Sequence, residues 1–384
     1  MVINTPHHLS THLARQSRLS GLLLVALTIG MLTQTAPVHA GHPADEKLYD
    51  SWTALMYAAW KGKQETVTKL LGKPEEKVSA VDIDGRTALI YAAWHGNKDV
   101  INLLLQAGAD INHADNDGLT ALIWATRNGR KQAVESLLEH GALVNAQDKS
   151  GRTAIIWAAY MGYEEIVDYL VKHGANINFQ DKEGHTALII ATKFSYDAIG
   201  IKLIKAGASV NATDKYGRSA LWFAADIGDA EMVKLLAEKT IDINVKDSRK
   251  QTPLMRAAKG GHNLVVKTLL KAGAKINERT TTGNTALIFA ASTGNATTIK
   301  TLLDAGATIN AENNFDNTAL LVASEGGRLD AVNALLSYGA NPAQVNKLGN
   351  TALSMARNEG HKETKKVLDN YGTGEQNLLK KLIK

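Results

Sequence analysis

The chain has 384 residues, 45% of them apolar and 21% charged, with a net charge of +5 and no cysteine. That composition belongs to a folded protein and not to a disordered one, and so mild and dispersed a charge excludes the clustered basic face of a nucleic-acid binder. Without cysteine, disulfides, thiolate nucleophiles and thiolate metal sites are excluded together.

Residues 1–18 are polar and basic, with Arg15 and Arg18 and no acid. An apolar run of 14 residues follows from Leu19 to Leu32, and Val38-His39-Ala40 precedes a polar stretch. A basic flank, a short apolar core and small residues at the junction predict an export signal over 1–40, cleaved after Ala40. The mature chain is then periplasmic or secreted. The core is short of the roughly 20 apolar residues of a spanning helix, so no transmembrane segment is expected in the mature chain. An uncleaved anchor is the alternative. Residues 41–47 form a polar lead.

Beyond the lead the chain repeats itself. Each unit has a turn, a Thr or Ser opening a short apolar helix, a break, a second helix and a closing Gly-Ala. The opening residues are Thr53, Thr87, Thr120, Thr153, Thr186, Ser219, Thr252, Thr285, Thr318 and Thr351, so the first interval is 34 residues and the other eight are 33. Ten copies result, at 48–81, 82–114, 115–147, 148–180, 181–213, 214–246, 247–279, 280–312, 313–345 and 346–378. The length alone suggests two or three globular domains, but a fixed period overrides it, because stacked units share one elongated core. The fold class is therefore an all-α solenoid.

The local chemistry agrees. Thr at a helix start caps unpaired backbone N–H groups. Ala92-Ala93 and Ala158-Ala159 favour helix and close approach. Gly108, Gly141 and Gly174 end second helices in the left-handed conformation. Ile166, Val167, Leu170 and Val171 make one apolar stripe. In copy ten, Thr364 and Lys365 stand where Val100 and Ile101 stand in copy two, giving the stack a polar end. The tail at 379–384, with Leu378 before it, is basic and amphipathic. It reads as a short extra helix on the last copy, or as a membrane or partner contact.

The pattern resembles the ankyrin repeat family, on the endings GADIN (Gly108–Asn112), GANIN (Gly174–Asn178), GAKIN (Gly273–Asn277) and GATIN (Gly306–Asn310). The resemblance implies an ankyrin-repeat solenoid of about ten units, of an exported bacterial type. Departures are regular: Thr-Pro-Leu-His survives in part only at Thr252-Pro253-Leu254, and Ile90, Ile123, Ile156, Ile189 and Ile288 replace the His. Ser195 and Lys250 stand where glycines belong, and Thr240-Ile241 replaces Gly-Ala.

Nothing in the chain reads as catalytic. No HExxH and no phosphate-binding glycine loop occurs. His140 and His173 are one copy apart, roughly 10 Å, too far to share a metal. Asp and Glu read as scattered, solvent-facing helix residues. The expectation is a protein that is not an enzyme, with no cofactor and no metal, and monomeric.

Aromatic residues carry the functional signal. Trp124 and Trp157 lie four residues after their caps, and Trp60, Trp94, Arg127 and Tyr160 lie seven after. By the resemblance these rows face the concave groove, where aromatic and Arg side chains make hot spots. The expected site is a protein-binding surface on copies one to four, extended by Arg86, Arg152 and His185. The alternative is a glycan or peptidoglycan binder whose rings stack on sugars.

Overall fold

The computed structural model describes residues 51–240 and 242–372. The signal expected over 1–40, the polar lead 41–47 and the basic tail 379–384 lie outside the described residues. Contacts divide the chain after Ala54, and the helical stack fills the unit that begins at Leu55.

Among the described residues 20 helices alternate in pairs, from Ala54–Trp60 and Gln64–Leu71 to Ala352–Asn358 and Lys362–Gly372. There is no sheet among them, and two isolated bridges, Ala114 to Thr120 and Thr213 to Ser219, are the only extended pairing. First helices pack on first helices and second helices on second helices in copy order. The two rows have different compositions for that reason. In copy four the first helix Ala154–Met161 buries every residue from Ala154 to Ala159, as a helix enclosed on all sides must. Its second helix, Glu164–Lys172, buries only Ile166, Val167 and Leu170 and turns the rest to solvent. Burying a Leu, Ile or Val contributes about 1.5–3 kcal/mol, and each copy draws much of that from its neighbours.

The opening Thr or Ser accepts a hydrogen bond from the backbone N–H three residues on, as Thr186 does from Ile189 at 3.2 Å and Ser219 from Trp222 at 3.2 Å. Thr153 departs from the rule: its buried hydroxyl has no partner.

Two ladders of polar contacts cross between copies. The turn of each copy donates a backbone N–H to the turn before it, as Lys149 does to Asp117 at 2.9 Å, Lys182 to Ser150 at 2.9 Å and Lys215 to Glu183 at 2.9 Å. The closing Asn explains the GADIN-type ending: Asn112 Oδ1 accepts from Leu143 N at 2.8 Å and Asn178 Oδ1 from Ser209 N at 2.8 Å. Gly184 shows why the turn residue is glycine. Its φ is +81°, and a Cβ there would stand 2.8 Å from the backbone nitrogen of Lys215.

The irregular copies keep the same backbone. Ser195, Lys250 and Asp316 hold φ of 58°, 58° and 59° in places where other copies have glycine. At Gly200, where copy four has Val167, the neighbouring Met232 fills the space, and a Cβ on Gly200 would meet its Cε at 2.7 Å. At the end of the stack Thr364 is buried, and Lys365 pairs with Asp369 at 2.6 Å. The polar end expected of both residues is therefore carried by Lys365.

A left-handed L-residue costs roughly 1–2 kcal/mol, with Asp and Asn tolerating it better. Ser195→Gly and Lys250→Gly are each expected to stabilise the chain by about 1 kcal/mol. Asp316→Gly should gain less. Urea unfolding midpoints at unchanged slope test the ranking.

Candidate functional site

The residue five places before each cap builds the site. In copies two to six it is a buried aspartate: Asp82, Asp115, Asp148, Asp181 and Asp214. Copy seven has Asp247 there, half-buried. These carboxylates belong to the turns, so the expectation that the acids are solvent-facing helix residues is wrong for this row. Each is buried because its own turn consumes it. Asp115 Oδ1 accepts from the N–H groups of Asp117 and Leu119, both at 2.9 Å, and Asp148 does the same with Ser150 and Arg152.

The second carboxylate oxygen is satisfied from the first helix where that helix can donate. Trp124 Nε1 reaches Asp115 at 2.8 Å, Trp157 Nε1 reaches Asp148 at 2.8 Å, and the Tyr91 hydroxyl bonds Asp82. Burial, with the Asp82 contact, raises the Tyr91 phenol well above its ordinary value. In copies five and six the equivalent residues are Ile190 and Phe223, which have no donor. There the residue just before the cap substitutes: His185 Nδ1 lies 3.4 Å from Asp181, and Arg218 donates to Asp214 at 2.8 Å. Burial pushes the Asp181 carboxyl up, but hydrogen bonds and charge from His185, with the charge of Arg152, outweigh it and leave it lowered.

The same pre-cap residues reach the next copy. Arg86 Nε lies 3.7 Å from Asp115, Arg152 Nε 3.4 Å from Asp181, and His185 Nε2 3.9 Å from Asp214. Arg86, Arg152 and His185, expected as groove contacts, are thus committed to the stack, with side-chain exposures of 12%, 26% and 12%. In copies eight to ten the row turns neutral. Asn313 donates to Asn284 at 2.8 Å and Asn346 to Asn317 at 2.9 Å.

Above the carboxylates, cations and rings alternate. The Arg86 guanidinium sits 5.5 Å from the Trp94 ring and 5.2 Å from Trp124. Arg127 sits 5.0 Å from Trp124 and 4.4 Å from Trp157. Arg152 sits 4.9 Å from Trp157 and 5.5 Å from Tyr160. Trp94 stacks on Trp124 at 4.3 Å, and Tyr160 meets Phe194 edge-on at 5.2 Å. Trp60 lies under Lys61 at 4.1 Å and against His95 at 5.2 Å. The row continues with Lys193 near Phe194 and Phe223, Arg218 near Phe223, and Arg256 near Trp222.

The expected site residues therefore fall into two levels. Trp124 and Trp157 are buried and face inward to their aspartates. Trp60, Trp94, Arg127 and Tyr160 are half-buried above them. The sequence pattern did not single out the buried aspartate row, Lys193, Arg218 or Arg256. The recurrence of Asp five residues before the cap was the available signal. The rings of His140 and His173 are each turned to a carbonyl of their own helix at 2.8 Å. Among the described residues no three His, Asp or Glu converge as a metal site, and no helix is long and apolar enough to cross a membrane.

A family model described as ankyrin repeats (3 copies) matches residues 23–115, 110–181, 173–247, 245–313 and 305–377. The first of these spans begins inside the apolar segment read as part of an export signal. No curated protein matches the chain.

Two measurements probe the site's construction. Trp157→Phe keeps the ring and strands the buried Asp148 oxygen, which should cost about 1–3 kcal/mol in chemical unfolding. His95 is held down to about 4, by burial and by the positive Arg130 and Lys61. The folded state therefore disfavours the protonated ring. His95 should cost no stability above its ordinary 6.5, and stability should fall as pH drops from there toward 4. His95→Gln should flatten that part of the stability–pH curve.

Proposed function

The chain belongs to the ankyrin repeat family, whose repeats are generally protein–protein interaction modules, and from that premise we propose that it is an exported, non-enzymatic binding protein. Its partner is a protein, held on the concave face of the amino-terminal copies and stabilised or neutralised there. The observation that carries this reading is the half-buried upper row of Trp60, Trp94, Arg127 and Tyr160, the last three of which lie against rings that are themselves locked to buried aspartates. Anchors of this kind lose little freedom when a ligand binds, so contacts with them translate into net affinity. Trp124, Trp157, Arg86, Arg152 and His185 serve this surface from beneath by fixing its geometry.

Export rests on the composition of residues 1–40, and a periplasmic or secreted location goes with it. The chemistry of the site disfavours the glycan reading. Sugar stacking needs open ring faces, whereas Lys61, Arg86 and Arg152 already lie over Trp60, Trp94 and Tyr160.

Paired affinity capture from envelope extract tests the proposal. Residues 41–384 and the Trp60→Ala/Trp94→Ala/Tyr160→Ala variant are immobilised at equal helicity. The expected result is a protein retained by the unaltered form and at least about tenfold less by the variant, since each hot spot contributes about 1–2 kcal/mol or more. Equal retention would place the binding surface elsewhere. Retention of cell-wall fragments without protein would restore the glycan reading.

A further inference from the structure

We propose that the partner presents an acidic segment, bound in extended form across copies three to five, with one carboxylate on Arg127 and a second on Lys193. This rests on the protein-binding reading and adds the chemistry of the ligand.

The arginines beside Arg127 and Lys193 on this face are paired within the chain, and Lys61 is exposed. Arg86 pairs with Asp84 at 2.9 Å, Arg152 with Asp181 at 3.4 Å and Arg218 with Asp214 at 2.7 Å, while Arg256 is bonded to Asp226. Arg127 and Lys193 are different. Both are half-buried, both lie against rings, and among the described residues neither charged group has a hydrogen bond or an ion pair. Burial holds both below their ordinary pKa, assisted at Lys193 by Arg218, while the charges of Asp148 and Asp115 near Arg127 and of Asp214 and Asp181 near Lys193 pull the other way. Lys259, at the equivalent place in copy seven, is exposed and needs no partner. A partly desolvated charge that makes no direct ion pair keeps part of its desolvation cost, and an anion arriving from outside would recover that cost at two places.

The spacing limits the form of the anion. Arg127 and Lys193 both stand seven residues after a cap, two copies apart, with Tyr160 at the same place between them. Packed helices lie about 8–10 Å apart, so the two cations are about 20 Å apart. An extended chain rises about 3.3 Å per residue, so six residues cover that span. Side chains an even number of positions apart share a face of the strand. Acids at the first and seventh positions then both point into the groove, with an apolar residue at the third or fifth position on the same face beside Tyr160. A nucleic-acid strand, by contrast, carries a charge every few ångströms. The row does not offer that continuity: Trp94 precedes Arg127, and Asp226 follows Lys193.

The test is fluorescence anisotropy of the full chain with labelled peptides in a Ser-Gly background. One peptide carries two glutamates six positions apart with a leucine two positions after the first, one has the glutamates three positions apart, and one has glutamine in their place. The six-apart acidic peptide is expected to bind at least about tenfold more tightly than the other two, as two charge-assisted hydrogen bonds warrant. Arg127→Gln and Lys193→Gln should each remove most of that advantage. Lys193→Met keeps the aliphatic stem, so its loss of binding at unchanged helicity reports the charge alone. Equal binding of the glutamine peptide, no saturable binding of the acidic one, or indifference to these substitutions overturns the proposal. Tighter binding of oligothymidylate than of the acidic peptide overturns it in favour of a phosphate strand. If affinity capture loses its partner on the Trp60/Trp94/Tyr160 variant while the peptides ignore charge, only the acidic ligand falls. If the capture is also unaffected, the groove reading falls with it.

Discussion

The constraint on which this molecule depends is the double duty of a buried turn carboxylate. Asp148 closes its own turn through two backbone N–H groups and receives the indole N–H of Trp157 on its other oxygen. A buried carboxylate lacking either set of donors would be strongly destabilising. With both sets present it locks turn to helix within a copy, and the Trp157 ring it holds becomes the floor on which Arg127 rests. Fold and site are therefore built from the same hydrogen bonds.

The lock is maintained by different chemistry along the stack. Tyr91, Trp124 and Trp157 donate where the first helix supplies a donor. His185 and Arg218 take over where Ile190 and Phe223 cannot. In copies nine and ten, Asn313 and Asn346 receive the role in neutral form and donate to the copy before. This succession gives the face a polarity that the backbone lacks. One end is a layered array of cations, rings and carboxylates, and the other an amide ladder. Near-identical backbone units thus present different surfaces, which is how a repeat architecture acquires a localised site.

Backbone geometry is the more conservative feature. Ser195, Lys250 and Asp316 adopt the left-handed conformation of the glycines they replace, because the neighbouring copies on both sides require the turn to close in one way. Met232 occupying the space over Gly200 is the side-chain counterpart. In both cases a local departure is absorbed by contacts one copy away.

The sequence by itself determined the all-α class and the succession of paired helices, because these follow from periodicity, caps and terminating glycines, which act within a few residues. It also identified the aromatic and arginine rows, since residues at a fixed offset from a cap share a face of a helix. It left open which members of those rows are available to a ligand. Trp124 and Trp157 turn inward, and Arg86, Arg152 and His185 are drawn to carboxylates of the following copy. Those last pairings join residues about thirty positions apart and exist only once the copies are stacked. The buried aspartates were misread because an acid looks solvent-facing until the N–H groups of its own turn and a donor on its own first helix close on it. Only the tertiary structure decided that Arg127 and Lys193 make no direct ion pair, because a charge is unpaired only with respect to everything packed around it.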